Sequence, residues 1–125
     1  MARVTQRVDP ADLDDLLERP RRAAVAFCDG ARIEAVPVAY RRRGGRHWIG
    51  VAREALPPSG APERAVLLTD DGRYWFDLRA VTLRGRLVAA PRPPGERSVD
   101  LAWWEVVPER IVAWDYARLR EEADG

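Results

Sequence analysis

Three consecutive pieces of sequence decide the fold of this chain: Ile33-Glu34-Ala35-Val36-Pro37-Val38-Ala39-Tyr40, then Arg41-Arg42-Arg43-Gly44-Gly45-Arg46, then His47-Trp48-Ile49-Gly50-Val51. The first and third are rich in β-branched and aromatic residues, and the second holds a Gly-Gly turn, so the whole reads as a β-hairpin. Pro37 interrupts the first strand. It cannot donate a ladder hydrogen bond, which confines it to an edge or a bulge. The apolar phase slips around it, from Ile33 to Val36, Val38 and Tyr40, as it does where a strand bends.

Further strands flank the hairpin. Upstream, Ala23–Cys28 is a short apolar run that reaches Ile33 through an Asp29-Gly30 turn. Downstream, Ala65–Thr69 leads through Asp70-Asp71-Gly72 into Arg73–Arg79. Val81, Leu83, Gly85 and Leu87 then alternate with Thr82, Arg84 and Arg86, the two-residue period of a half-buried strand. Pro91–Gly95 breaks the chain. Trp103–Val107 and Arg110–Tyr116 form either a strand pair or one strand bent at Pro108. Before all of these, Asp9-Pro10-Ala11-Asp12 carries a cap, a first-turn proline and acidic residues, which predicts a helix start. Leu13, Leu16 and Leu17 give that helix one apolar stripe, and Pro20 stops it. The expected architecture is mainly β: a small barrel of roughly six to seven antiparallel strands with one short N-terminal helix, since closure removes exposed edges. The 125 residues read as a single domain with its core at about 9–117 and a charged tail, Arg118–Gly125, either a short helix or disordered.

Composition excludes several function classes. The net charge is +1, too small a field for a general nucleic-acid binder, and no basic-aromatic stripe is present. There is no lysine, so no side-chain Schiff base can form; the all-arginine set reflects base composition or planar contacts to carboxylates and phosphates. Cys28 is the only cysteine, which removes intrachain disulfides and cysteine zinc clusters. Beside Phe27, it is expected to pack in the core. His47 has no second histidine at ligand spacing, and no metal site is expected. No Ser-His-Asp, HExxH, P-loop or Rossmann pattern occurs. No apolar run approaches the roughly 18 residues of a membrane span, and residues 1–20 lack a signal-type apolar core. The expectation is a cytoplasmic protein.

Between two of the strands lies a long break, Ala52-Arg53-Glu54-Ala55-Leu56-Pro57-Pro58-Ser59-Gly60-Ala61-Pro62-Glu63-Arg64. Loops of this length in compact domains are functional or disordered. This one carries Arg53, Ser59 and Arg64, groups able to hold an anion, and it equally fits a solvated proline-rich loop.

Taken in order, these motifs resemble the pyridoxamine-phosphate-oxidase-like, FMN-binding split-barrel superfamily, including its F420-dependent branch. Ala35-Val36-Pro37-Val38 is similar to the family's Val-Pro-Val strand, Arg46-His47-Trp48-Ile49-Gly50 to the strand leading to its phosphate site, Trp75-Phe76-Asp77-Leu78-Arg79 with Gly85 to its central strands, and Pro108–Tyr116 to its closing strand. The resemblance implies a homodimer with a cofactor site at each subunit interface, and hydride transfer through FMN or F420 to a small organic substrate. It also implies that backbone at Val36, Pro37 and Val38 lies beside the cofactor ring. No catalytic side chain is implied, because the cofactor carries the reactive atom. Arg53 is the carried-over phosphate ligand, with Ser59 and Arg64 as helpers if the loop folds back; Trp48, Gly50, Val51 and Arg79 complete the expected cofactor-binding set. Trp48, Trp75 or Trp104 could stack on a flavin. The sequence departs from the family at the phosphate site. Gly50-Val51-Ala52 replaces a Ser/Thr turn, and Arg53-Glu54-Ala55-Leu56 is all that remains of a Lys/Arg-rich helix. This departure supports a second reading, a non-redox ligand-binding or structural relative that has lost the phosphate clamp.

Of the remaining arginines, Arg41-Arg42-Arg43 reads as a solvated turn tip. Arg79 and Arg84 are expected to meet Asp77, Glu105 or a ligand.

Overall fold

The structure, a computed structural model, describes residues 2–6, 17–18, 20, 22–55, 62–71, 78–97 and 100–115. Eight strands carry the fold: β1 (Ala2–Gln6), β2 (Arg22–Asp29), β3 (Arg32–Pro37), β4 (Ala39–Arg43), β5 (Arg46–Ala52), β6 (Arg64–Asp70), β7 (Arg79–Ala89) and β8 (Leu101–Asp115). Hydrogen bonding follows the order β3-β2-β6-β7-β8-β5-β4, every pair antiparallel. β3 and β4, at the two ends of this path, are consecutive in the chain and separated only by Val38. The sheet therefore curls round until one bent stretch serves both of its ends. At the bend Pro37 ends β3, and the Val38 amide donates to the Ala23 carbonyl at 3.0 Å.

The mainly-β architecture is present, and the seven strands of the antiparallel path match the upper end of the expected six to seven. Ile33–Tyr40, read as one strand, is split into β3 and β4. Several details differ. β1 is an eighth strand that the sequence did not announce, and it lies parallel to β8, with Ala2 opposite Arg110 and Gln6 opposite Trp114. The C-terminal strand is single and spans 15 residues. The helix expected at Asp9–Pro20 falls mostly outside the described residues, within which Leu17 and Glu18 are helical. Much of the Arg73–Arg79 strand and the tail also lie outside them. The first hairpin turn is Gly30-Ala31, closed by Asp29 opposite Arg32. Gly44 and Gly45, with φ of 57° and 75°, make the second two-residue turn, where only residues tolerant of positive φ fit.

Inward-facing alternation builds the core. Ala65 and Leu67 on β6, Val81 and Leu83 on β7, Ile49 and Val51 on β5, and Val106, Ile111 and Ala113 on β8 are all buried together. Leu17 joins them and is buried with the strand residues. One irregularity sets the curvature. On β7 and β8, Arg84 pairs with Arg110 but Gly85 pairs with Pro108, so Glu109 is an extra residue on β8. Such a bulge bends the strand and spares Pro108 a ladder bond it could not make. It also presses β8 against Gly85: a Cβ there would collide with the carbonyl of Val107 and lie 3.0 Å from Pro108 Cα.

Gly85→Ala is therefore expected to lower stability by about 3 kcal/mol or more, because rigid backbone would have to move. A thermal melt checks this; a Tm within about 2 °C of the parent would mean the backbones do not approach as described.

Candidate functional site

The outward faces of β4, β5 and β8 carry the chemistry. Across these strands Arg41 pairs with Trp48 and Trp48 with Glu105, while Gly50 lies between Ala39 and Trp103. Trp48 and Trp103 are 7% and 5% exposed, yet neither belongs to the interior core cluster. Their cover comes from the segment Ala90–Arg97, which leaves β7 and folds back over this face: Ala90 N donates to Trp103 O at 3.3 Å, and Pro93 is buried. An ion pair between Arg41 and Glu96 fastens the segment to β4. Gly50 makes room for the tryptophan: a Cβ there would stand 2.9 Å from Leu101 Cδ1 and 3.0 Å from the Trp103 ring.

Two cavities open beside this cover and share Arg92. One, of about 350 Å³, is lined by Arg53, Ala90, Arg92, Leu101 and Trp103. The other, of about 510 Å³, lies between Trp48, Arg43, Arg46, Pro91, Arg92 and Pro94. Arg53 arrives on a single 3₁₀ turn, Arg53–Ala55, directly after β5, and Arg92 arrives from the folded-back segment. Two guanidiniums from separate elements thus converge on one cavity beside an indole, an arrangement suited to an anion attached to an aromatic group. Arg92 Nη1 also reaches the Arg97 carbonyl at 3.3 Å, which steadies the segment. The Nε1 atoms of Trp48 and Trp103 are buried with no hydrogen-bond acceptor among the described residues. A bound group with carbonyl or phosphate oxygens could satisfy them, so the residues present fit a flavin at its anionic end.

At the rim, Arg46 grips Glu105 through both carboxylate oxygens, at 3.0 and 2.5 Å, and lies 4.7 Å from the Trp48 ring centre. The Arg46 hydrogen bond holds the Glu105 carboxyl below the usual carboxylate range.

The expected site residues do not gather in one cavity. Pro37 and Val38 line a separate hollow of about 400 Å³ with Ala24, Leu68 and the ion-paired Arg22 and Asp70. Val36 is half-buried against the core. The Val38 amide, expected to be available to a cofactor, already serves Ala23. Val51 faces the interior and is 3% exposed, because it shares the inward phase of Ile49. Arg64 pairs with Glu109 at 2.7 Å, and Arg79 pairs with Asp71. Ser59 and Trp75 lie outside the described residues. Trp104 packs against the core rather than on the outer face. The sequence reading missed Arg92 and Trp103. Arg92 stands in a stretch that reads as a break, and the only signal there is the arginine set among prolines in Pro91-Arg92-Pro93-Pro94-Gly95.

Other expectations change with the fold. Cys28 is exposed, since Phe27 takes the inward position beside it. Arg41 and Arg42 are partly buried and ion-paired, Arg42 with Glu18 at 3.3 Å; only Arg43 is a solvated tip. Inside the barrel, His47 Nδ1 and Tyr40 Oη are 2.7 Å apart with the rings stacked at 16°. Burial, followed by the positive charge of Arg42, lowers the His47 pKa to about 4, while burial raises that of Tyr40. Among the described residues no group of three His, Cys, Asp or Glu could hold a metal ion. No described helix is long and apolar enough to cross a membrane.

His47 supplies a pH prediction. Its folded pKa of about 4 lies below the ordinary histidine value of 6.5, so the unfolded chain binds the proton more tightly. Stability from keeping this ring neutral is complete above pH 6.5 and is lost as pH falls toward 4, a change of about 3 kcal/mol. Denaturant melts between pH 7 and 4 should show that decline, and His47→Phe should flatten the part between pH 6.5 and 5.

No protein-family model and no curated protein matches the sequence. Solved structures do. A proposed pyridoxamine 5'-phosphate oxidase from Corynebacterium glutamicum is 13% identical, with a TM-score of 0.65 over 85% of this chain and 93% of that one. An FAD binding protein from Mycobacterium smegmatis is 15% identical, with a TM-score of 0.66 over 83% and 92%. An FAD-binding protein from Mesorhizobium loti is 14% identical, with a TM-score of 0.60 over 83% and 92%.

Proposed function

From the pyridoxamine-phosphate-oxidase-like split-barrel fold that this chain shares with those structures, we propose that the protein is an oxidoreductase using a bound flavin or deazaflavin, FMN or F420, on a small organic substrate. The observation that carries this reading is the convergence of Arg53 and Arg92 on one cavity against Trp103. When bound, the cofactor would supply hydride transfer. The chain's own task is to hold and orient it. Arg53 and Arg92 would grip the phosphate by charge-assisted hydrogen bonds, Trp103 and Trp48 would offer indole N–H donors and apolar surface, and the Ala90–Arg97 segment would keep water from that end.

Two copies would complete the arrangement. Leu68 and Val88, apolar yet 39% and 42% exposed, support association into a homodimer. The expected result in light scattering is a mass of twice 14.1 kDa; a monomer at micromolar concentration would count against it.

One observation favours a second reading, a ligand-binding relative without turnover. The Val38 amide is committed to Ala23, which leaves the Val36–Val38 stretch less able to meet a cofactor ring. Reduction of bound cofactor by a hydride donor, followed by reoxidation, separates the two readings.

Fluorescence titration should give micromolar affinity for FMN, F420 or FAD. Arg53→Ala and Arg92→Ala should each weaken it by about tenfold or more, the worth of a charged hydrogen bond. Riboflavin, which lacks the phosphate, should bind equally to parent and variants. Absence of binding by every cofactor would overturn the proposal.

A further inference from the structure

A further cavity, of about 610 Å³, lies elsewhere, on the outward face of β2, β3, β6, β7 and β8. Its floor is apolar and made of small side chains. Ala26 pairs with Ala35 on one side and with Val66 on the other, and Val66 pairs in turn with Arg84. Ile33, 81% exposed, stands at one edge beside the exposed Cys28 opposite it on β2. The volume falls within the range of about 300–1,000 Å³ typical of small-molecule sites.

The other edge is a bank of arginine. Arg84 stands directly across from Arg110, and Arg64 directly across from Arg86. Like charges placed opposite each other in a sheet repel. Arg64 is balanced by Glu109 at 2.7 Å. Arg84, Arg86 and Arg110 are all exposed, and none has a hydrogen-bond or ion-pair partner among the described residues. The bulge at Glu109 keeps Arg110 in register with Arg84 while shifting the rest of β8 by one residue. An apolar trough thus ends at an uncompensated pair of guanidiniums, each able to bind an oxyacid through two parallel hydrogen bonds.

We propose that this trough is a second ligand site, separate from the Arg53–Arg92 cavity, for an anionic amphiphile: an alkyl or acyl chain lying over Ala26, Val66 and Ile33, with a terminal carboxylate or phosphate between Arg84 and Arg110. A second copy of the chain is the weaker occupant. A two-fold contact centred on this patch would bring its arginines against their own symmetry mates. The proposal does not rest on flavin binding.

Cys28, the only cysteine, reports on the trough directly. With dodecanoate or dodecyl phosphate at ten times its dissociation constant and below its micelle concentration, thiol modification of Cys28 should slow by about tenfold. Whichever of the two protects at lower concentration identifies the head group. Dodecanol should protect less at equal concentration. The Arg84→Gln, Arg110→Gln double variant, with a Tm like the parent's, should lose about tenfold in affinity for the anionic probes and none for FMN. Equal protection by dodecanol and dodecanoate, no protection by either anionic probe, or a thiol already shielded in the ligand-free protein in a concentration-dependent way would each overturn the proposal. So would displacement of the probe by FMN alone.

Discussion

A single hydrogen bond, from Val38 N–H to Ala23 O, sits where one chain segment stops pairing with β2 and starts pairing with β5. Everything else in the architecture depends on that change of partner. Were the strand straight, the sheet would end in two open edges with unpaired backbone groups. Pro37 enforces the turn-off, because it has no N–H to continue the ladder and its fixed φ resists the pleat. Val38 then supplies the donor that Pro37 lacks, one residue later and aimed at β2. The bend converts a curled sheet into a scaffold whose inside can be dry and whose outside is free for ligands.

The two faces of that scaffold are chemically distinct. Inside, Tyr40, His47 and Thr69 place polar groups in a largely apolar core, and the first two satisfy each other. Outside, each of the four hollows described above is bordered by guanidinium. On β4, β5 and β8 the tryptophans are covered by the chain's own proline-rich return, locked by Arg41 and Glu96. On β2, β6 and β7 the small apolar residues have no such cover among the described residues. Prolines suit the covering role because Pro91, Pro93 and Pro94 lose little conformational entropy when the segment is laid down.

Much of the fold was legible in the sequence because its signals are local. Pro37 and the phase slip around it announced the bend, Gly44-Gly45 announced the hairpin, and the alternation Val81, Leu83, Gly85 against Arg84, Arg86 gave the faces of β7. β1 was not legible: five residues without a turn signal pair with a strand more than a hundred positions away, and no local pattern encodes that. The candidate site was legible in half. Arg53 follows directly from its place after β5. Arg92 and Trp103 become its neighbours only once the segment after β7 folds back over β8, a tertiary event. Cys28 shows the cost of reading composition over phase. Its apolar neighbour Phe27 suggests a place in the core, whereas strict alternation puts adjacent residues on opposite faces.

β8 has a consequence for how the protein comes into being. It is the spine of the sheet, flanked along one side by β7 and along the other by β5 and then β1. Without β8, Leu101–Asp115, the ladders β3-β2-β6-β7 and β4-β5 can each form, but nothing joins them into one sheet. Topologies dominated by such distant pairings fold slowly, and the waiting strands expose edges. Loss of β8 should therefore abolish the fold rather than trim it, because it parts two ladders that have no other strand between them.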